Sequence, residues 1–293
     1  IQSIPYDSWS ILSALKSADV LLILGVGGCI VLPFLKLFGC RKKLIVNIDG
    51  LEWRRSKWNP PAKSFLKFSE RTAVRFCDHV IGDNKVISDY VEQEYHHSCS
   101  LIEYGADHQE PQKISAASLA AYPFLSHAYA FGVCRIEPEN NVHLVLRAFA
   151  DPSCSLPLVM VGNWSKGAYG QKLYETYRGH GNIHLLDPVY DQKKLNELRS
   201  NCILYIHGHS CGGTNPSLIE AMHLGLPVAA FDVNFNQETT EYKALYFASS
   251  EELLRIIGEK RVTEWRKIGD AMREIAGRRY TWKRIGQCYA ELF

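Results

Sequence analysis

The strongest constraint on this chain is a rhythm. Short, almost wholly apolar runs of strand length recur between segments of helix length. The runs are 19–24, 43–48 (closed by Asp49 and Gly50), 78–82, 100–104, 128–132, 156–161, 183–186, 202–206 and 227–231. A strand with one face in water alternates apolar and polar residues, whereas a strand covered on both faces is apolar throughout. Continuous runs spaced by helical segments therefore predict βα units, parallel sheets and an α/β fold.

Residues 106–126 break the rhythm with polar residues, Pro111 and a short alanine-rich patch. This stretch reads as a linker. It predicts an N-terminal Rossmann-like domain over 1–120, a second one over 121–280, and a closing helix at 281–293 that returns to the first. The second half, with helices over 141–150, 167–179, 192–200 and 216–224, reads as a complete doubly wound domain. The first half has few strands and starts without methionine, so it is expected to be the incomplete part of its domain. Residues 20–38 are as apolar as a membrane span. Gly25, Gly27, Gly28 and Pro33 interrupt them, which favours a buried strand, a glycine turn and a helix start.

Composition excludes more than it selects. The 293 residues are 46% hydrophobic and 22% charged, ordinary globular usage with room for sizeable cores. A net charge of +2 gives no ground for a nucleic-acid binder. The nine cysteines form no CxxC pair. They read as reduced thiols of a cytoplasmic protein rather than a zinc site or a disulfide framework. The start Ile1-Gln2-Ser3 has no basic n-region, so a secretory signal is not expected there.

Three segments carry chemistry. In the first, a buried strand ends at Ile206, then come Gly212-Gly213, Thr214-Asn215-Pro216-Ser217-Leu218, and a helix containing Glu220. A helix that starts at the carboxyl end of a parallel sheet suits a phosphate or diphosphate through its amides and dipole. Glu220, one turn in, can accept from a ribose hydroxyl pair. The plain alternative is a packing turn with Glu220 as an exposed helix residue. In the second, Gly132 ends a strand and Arg135 follows it, placed to clamp a diphosphate with two N–H bonds. Its plain alternative is a surface arginine paired with Glu137. In the third, Glu52, Trp53, Arg54, Arg55 and Lys57 crowd the loop after Asp49. Such a loop can stack sugars and hold hydroxyls or phosphates, or it can satisfy its own charges on its own domain. His207 and His209 form an HxH pair with no third metal ligand evident; packing or sugar contact is the better reading.

The string from Gly212 to Met222, with Gly225-Leu226-Pro227 and Asp232, resembles the donor segment of family-four retaining glycosyltransferases of GT-B fold. The resemblance spans nearly the whole chain. It implies two Rossmann-like domains facing a cleft and a nucleoside-diphosphate sugar as donor. It also implies a saccharide or lipid-linked saccharide acceptor, with no cofactor and no metal. The family pattern has two glutamates separated by seven residues; here Glu220 matches the second and Gly212 stands at the first. The family's paired arginine and lysine become Arg135 and Asn140. Asn163 and the segment Val189-Tyr190 resemble further donor contacts. Gly213, Thr214, Asn215, Pro216, Ser217 and Leu218 carry over as the donor loop. Asp49-Gly50-Leu51-Glu52-Trp53-Arg54-Arg55, with Phe68-Ser69-Glu70 and Asp83-Asn84, resembles a bacterial rhamnosyltransferase-like subfamily. That implies surface polysaccharide synthesis and puts Asp49 near the reacting sugar. Leaving-group stabilisation by Arg135 and the amides of Thr214 to Ser217 is the expected mechanism. The basic, aromatic loop and the apolar stretch 31–38 fit transient contact with the inner face of a membrane. Two other classes stay open: a non-catalytic nucleotide-sugar-binding subunit, and a nicotinamide-dependent oxidoreductase resting on the glycines at 25–28.

Overall fold

A computed structural model describes residues 3–55, 57–259 and 262–293. The chain forms two compact units. The first takes Ile1–Tyr104, Cys211–Thr214 and Lys283–Phe293; the second takes Gly105–Ser210 and Asn215–Trp282.

The first unit runs α1 (Ser3–Ala14), β1 (Val20–Leu24), α2 (Leu32–Leu37), β2 (Lys43–Ile48), α3 (Pro60–Phe76), β3 (His79–Gly82), α4 (Lys85–Tyr95) and β4 (Ser100–Leu101). Its sheet is parallel, in the order β1-β2-β3-β4, with Ile23 opposite Val46 and Val46 opposite Val80. In the apolar stretch 20–38 the strand, turn and helix stand where the glycine pattern foretells, but β1 is not the buried strand expected: it is an edge strand, with Leu22 38% and Leu24 70% exposed. β1 stops at Leu24, Gly25 turns the chain at φ 85°, and Pro33 sits in the first turn of α2. No helix among the described residues is long and apolar enough to cross a membrane. α3 begins where Asn59 accepts from the Ala62 amide, with prolines in the first turn. The helix Trp282–Ala290 supplies Ile285, and Leu292 follows it. Both pack against Ile45, Ile81 and Ile102.

The second unit runs α5 (Ala116–Ala121), β5 (Ala130–Val133), α6 (Val142–Phe149), β6 (Leu158–Val161), α7 (Ala168–Tyr177), β7 (Ile183–Leu186), α8 (Gln192–Arg199), β8 (Leu204–His207), α9 (Pro216–His223), β9 (Val228–Phe231), α10 (Asn234–Thr239), β10 (Leu245–Phe247), α11 (Ser250–Glu259) and α12 (Val262–Arg279). The parallel sheet has the order β10-β9-β8-β5-β6-β7. The chain winds outward from β5 to β7, then returns to lay β8 on the other side of β5. Winding direction reverses between β5 and β8, and such reversals leave a crevice at the carboxyl ends of the strands. Leu146, Phe149, Leu158, Leu204, Ile206 and Phe247 lie in the core beneath.

The stretch read as a linker is bonded structure. The Gln112 amide donates to Ser200 Oγ at 3.1 Å, and Ser115 donates through its amide and hydroxyl to Glu197 Oε2. Hydrogen bonds to α8 hold it in the second unit, so the division falls at Tyr104–Gly105, ahead of residue 120. None of the nine cysteines is in a disulfide; Cys29, Cys77, Cys154 and Cys202 are buried and the others partly so.

Candidate functional site

At the reversal point of the second sheet, the loop after β5 and the end of β8 lie side by side. Gly132 lies inside β5, where an added Cβ would press on Met160, so packing explains it. Arg135 is 62% exposed and reaches Glu137 Oε2 at 3.8 Å, a loose form of the surface pair foreseen as its plain alternative. Exposed pairs of this kind contribute at most about 1 kcal/mol, so the guanidinium remains available to a ligand. Asn140, at the position where the resemblance has lysine, is buried and donates to the Arg135 carbonyl at 2.6 Å. It shapes the loop that carries Arg135. Asn141, in the left-handed region at φ 49°, donates to the Gly208 carbonyl at 3.0 Å. Ser210 donates to the Glu139 carbonyl through its amide at 3.0 Å and its hydroxyl at 2.8 Å. The two loops are thus bonded together.

The rings of His207 and His209 stack at 4.4 Å with 12° between planes. His207 is 1% exposed, and neither of its ring nitrogens has a partner among the described residues; nor has Nδ1 of His209. Burial holds both rings neutral. It pulls His207 well below the ordinary value and, with the Arg135 guanidinium adding, brings His209 down to about 4.

Glu220 is not the exposed helix residue of its plain alternative; its side chain is 21% exposed and held from two sides. Oε1 accepts from Gln109 Nε2 at 3.1 Å, and Oε2 pairs with Arg199. Arg199 is fully buried; Nη2 donates to Asn196 Oδ1 at 2.8 Å and to Gln109 Oε1 at 3.1 Å. Sequence reasoning missed Arg199 and Gln109. The available signal was a charge beside Leu195 and Leu198, with Asn196 on the same helix face three residues away.

The start of α9 corrects one expectation. Asn215 caps the helix, and its Oδ1 accepts from the Ser217 amide at 3.1 Å. The Leu218 amide bonds the Asn215 carbonyl at 3.0 Å, and the Leu218 side chain is in the core. Pro216 has no N–H. The Thr214 amide is bonded to Asp83. Of the expected run of free amides from Thr214 to Ser217, those of Thr214 and Ser217 are therefore bonded and Pro216 has none; the helix dipole remains. On the far side of β5, Asn163 follows β6 and its Oδ1 accepts from Ser165 Oγ at 3.0 Å. Val189 is partly buried and Tyr190 is 85% exposed in the loop after β7.

In the first unit, Asp49 follows β2 and Asp83 follows β3. Asp83 is 2% exposed, and its Oδ1 has no hydrogen-bond partner among the described residues. Burial, then the Asp49 charge, push the Asp83 carboxyl up to about 7 against the bonds from Tyr104 and the Thr214 amide; Glu103 adds a smaller push. Asp49 is raised by burial first and Glu52 second. The loop 211–214 of this unit needs its glycines. Gly212 has φ 117°, and a Cβ on Gly213 would overlap the Asp83 carboxylate. A Cβ on Gly50 would stand 3.2 Å from Gly212 Cα. Thr214 is buried, and its hydroxyl accepts from Asn84 Nδ2 at 3.2 Å.

The charged loop after Asp49 largely satisfies itself. Glu52 pairs with Arg55 at 2.7 Å and with Lys57 at 3.4 Å, and accepts from Trp58 Nε1 at 3.2 Å. This is the plain alternative for Glu52, Arg55 and Lys57, and Arg55 with Lys57 holds the Glu52 carboxyl low despite burial. Trp53 packs with Tyr90, centroids 6.5 Å apart, and the Arg54 guanidinium lies 5.0 Å from the Trp53 ring centre. Glu70 is buried beneath, accepting from the hydroxyls of Tyr90 and Tyr95 at 2.6 Å each. Arg54 is exposed and is what the loop still offers a ligand most openly; the Trp53 ring is partly buried, with Lys67 Nζ 4.7 Å from its centre as well.

Residues 125–248 match the family model described as Glycosyl transferases group 1, and residues 4–107 match Domain of unknown function (DUF1972). The first of these matches lies almost wholly within the second unit. No curated protein matches the chain in sequence. Among solved structures, sucrose-phosphate synthase from Thermosynechococcus elongatus matches at TM-score 0.80 and 16% identity, over 100% of this chain and 78% of that one. A glycosyltransferase from Rickettsia africae matches at TM-score 0.77 and 15% identity, over 99% and 80%. The Anabaena protein HepE, in complex with UDP-glucose, matches at TM-score 0.76 and 18% identity, over 97% and 80%. At such identities the likeness is one of fold: two Rossmann-like units with parallel sheets, the GT-B class.

Proposed function

We propose that this chain transfers a sugar from a nucleoside-diphosphate sugar to a hydroxyl of a saccharide or lipid-linked saccharide. The observation that carries the reading is the reversal point of the second sheet, which presents an exposed Arg135 after β5 and, after β8, the capped start of α9 with a carboxylate that Arg199 and Gln109 hold in place. Positive potential at a strand-end crevice suits a diphosphate leaving group, and Glu220 keeps lone pairs for a ribose. The match over 125–248 supports the same chemistry, as do the UDP and UDP-glucose held by HepE.

The finer reading is transfer with retention and without a metal, with Asp49 beside the reacting sugar. Asn163, Val189 and Tyr190 lie on the nucleotide side, and Trp53 and Arg54 meet the acceptor. Rhamnose as the sugar and bacterial surface polysaccharide as the product rest on the subfamily resemblance. Exposed Phe34, Leu37 and Phe38 beside basic residues 41–43 support contact with a membrane surface.

Calorimetric titration with UDP, dTDP and GDP, followed by sugar transfer or donor hydrolysis in wild type and Glu220→Ala, tests the reading. Binding of one nucleotide and a drop in turnover of at least about tenfold in the variant are expected. Equal rates in both proteins would remove Glu220 from the site. Binding of no nucleoside diphosphate would sink the reading itself, and binding with no turnover on any lipid-linked acceptor would favour a non-catalytic subunit.

A further inference from the structure

The leaving diphosphate has fewer donors than the loop sequence foretells. Three of the residues at the start of α9 offer it no amide, because Pro216 has none and the Ser217 and Leu218 amides are bonded internally. Beside Arg135, however, stand two imidazoles with three unpartnered ring nitrogens. Buried polar atoms are rarely left without partners, and those that are call for an explanation.

We propose that His209, backed by the stacked ring of His207, is a further binding group for the diphosphate of the donor, and that it takes up a proton when the diphosphate binds. The inference rests on the donor-site reading above and adds a residue to it. The rings close β8 at the reversal point, next to the loop that carries Arg135. Their neighbours choose the sign of the ligand. A guanidinium beside His209 opposes a second positive charge, be it a proton or a metal ion. Among the described residues no group of three His, Cys, Asp or Glu could hold a metal. A polyanion reverses the balance, because it neutralises Arg135 and favours the charged ring. Besides Arg135, the charged groups on the adjoining loops are three among the described residues. Glu137 is in loose contact with Arg135, Glu139 offers Ser210 its carbonyl, and Asp232 at the end of β9 accepts from Gln237 at 2.6 Å.

The backing is rigid. The His209 carbonyl accepts from Asn236 Nδ2 at 2.9 Å, and Ser210 is tied twice to Glu139. His209 thus meets a ligand without reorganising the backbone.

Titration calorimetry of the wild-type chain with UDP and, separately, with inorganic pyrophosphate tests this at about pH 6.5, near the ordinary histidine value. Two buffers of different ionisation enthalpy report the protons taken up. The ligand phosphates titrate near the same pH, so the readout is the difference between proteins: for both ligands the wild type is expected to take up more protons than His209→Gln, by up to about one, and the variant to bind about tenfold more weakly. Equal uptake and affinity in the variant would overturn the proposal. Pyrophosphate bound with that difference in uptake, but no nucleoside diphosphate bound, would uphold the anion site and sink the donor reading. Binding of neither would overturn both. Histidine-ring NMR of the wild type on adding pyrophosphate needs no variant; an unmoved His209 signal would also overturn the proposal.

Discussion

At residue scale, the loop 211–214 and the acid beneath it depend on each other. A methyl group at Gly213 meets the Asp83 carboxylate, so one of the two must shift. Gly213→Ala is expected to cost about 1–3 kcal/mol, read as a fall in thermal midpoint. An equal midpoint would mean that the loop stands elsewhere in solution. Asp83 also ties stability to pH. Its carboxyl is raised to about 7, so it ionises less readily folded than unfolded. Its contribution is full below about pH 4, and is lost as the pH rises through about 7. Between about pH 4 and about pH 7 the wild type is therefore expected to lose stability relative to Asp83→Asn, with no further loss above. Parallel pH profiles for the two proteins would refute this. Arg199→Met removes the buried partner of Glu220, and should lower stability by about 3–5 kcal/mol. Restored stability in Arg199→Met combined with Glu220→Gln would identify stranded charge as the cause.

At element scale, most strands were legible because burial on both faces makes them continuous apolar runs, as in β2, β6 and β8. β2, β6, β7 and β9 fall within a residue or two of where the runs stand. α5 was not legible. Its alanines carry no amphipathic stripe, and its stretch is held by hydrogen bonds to α8 that join residues far apart in sequence. The site divides in the same way. Glu220 and Arg135 announce themselves by their place after strands, whereas Arg199 and Gln109 matter only through a contact between residues 90 apart. Nor could spacing reveal that the charges of 52–57 would answer one another. α9 itself was legible from Asn215-Pro216, an N-cap followed by a proline. Asn215→Ala is expected to cost about 1 kcal/mol. It should also free the Ser217 amide, so a nucleotide affinity that falls less than the stability would mark the released donor.

At the scale of the whole molecule, the first unit is discontinuous in sequence. Ile285 and Leu292, from the far end of the chain, fill its core beside Ile45, Ile81 and Ile102. Ile285→Ala should cost about 2–5 kcal/mol. Hydrogen exchange should show the loss of protection in β2 and β3, ahead of β5 and β6. Uniform loss across both units would mean that they unfold as one. The same feature bears on synthesis. Domains made on the ribosome generally fold in the order in which they emerge. Here Ile45 and Ile81 cannot be sealed until Ile285 and Leu292 have left the exit tunnel, so the first unit completes its core after the strands of the second have emerged. Until then Ile45 and Ile81 stand open, a client surface for whatever chaperone attends the nascent chain.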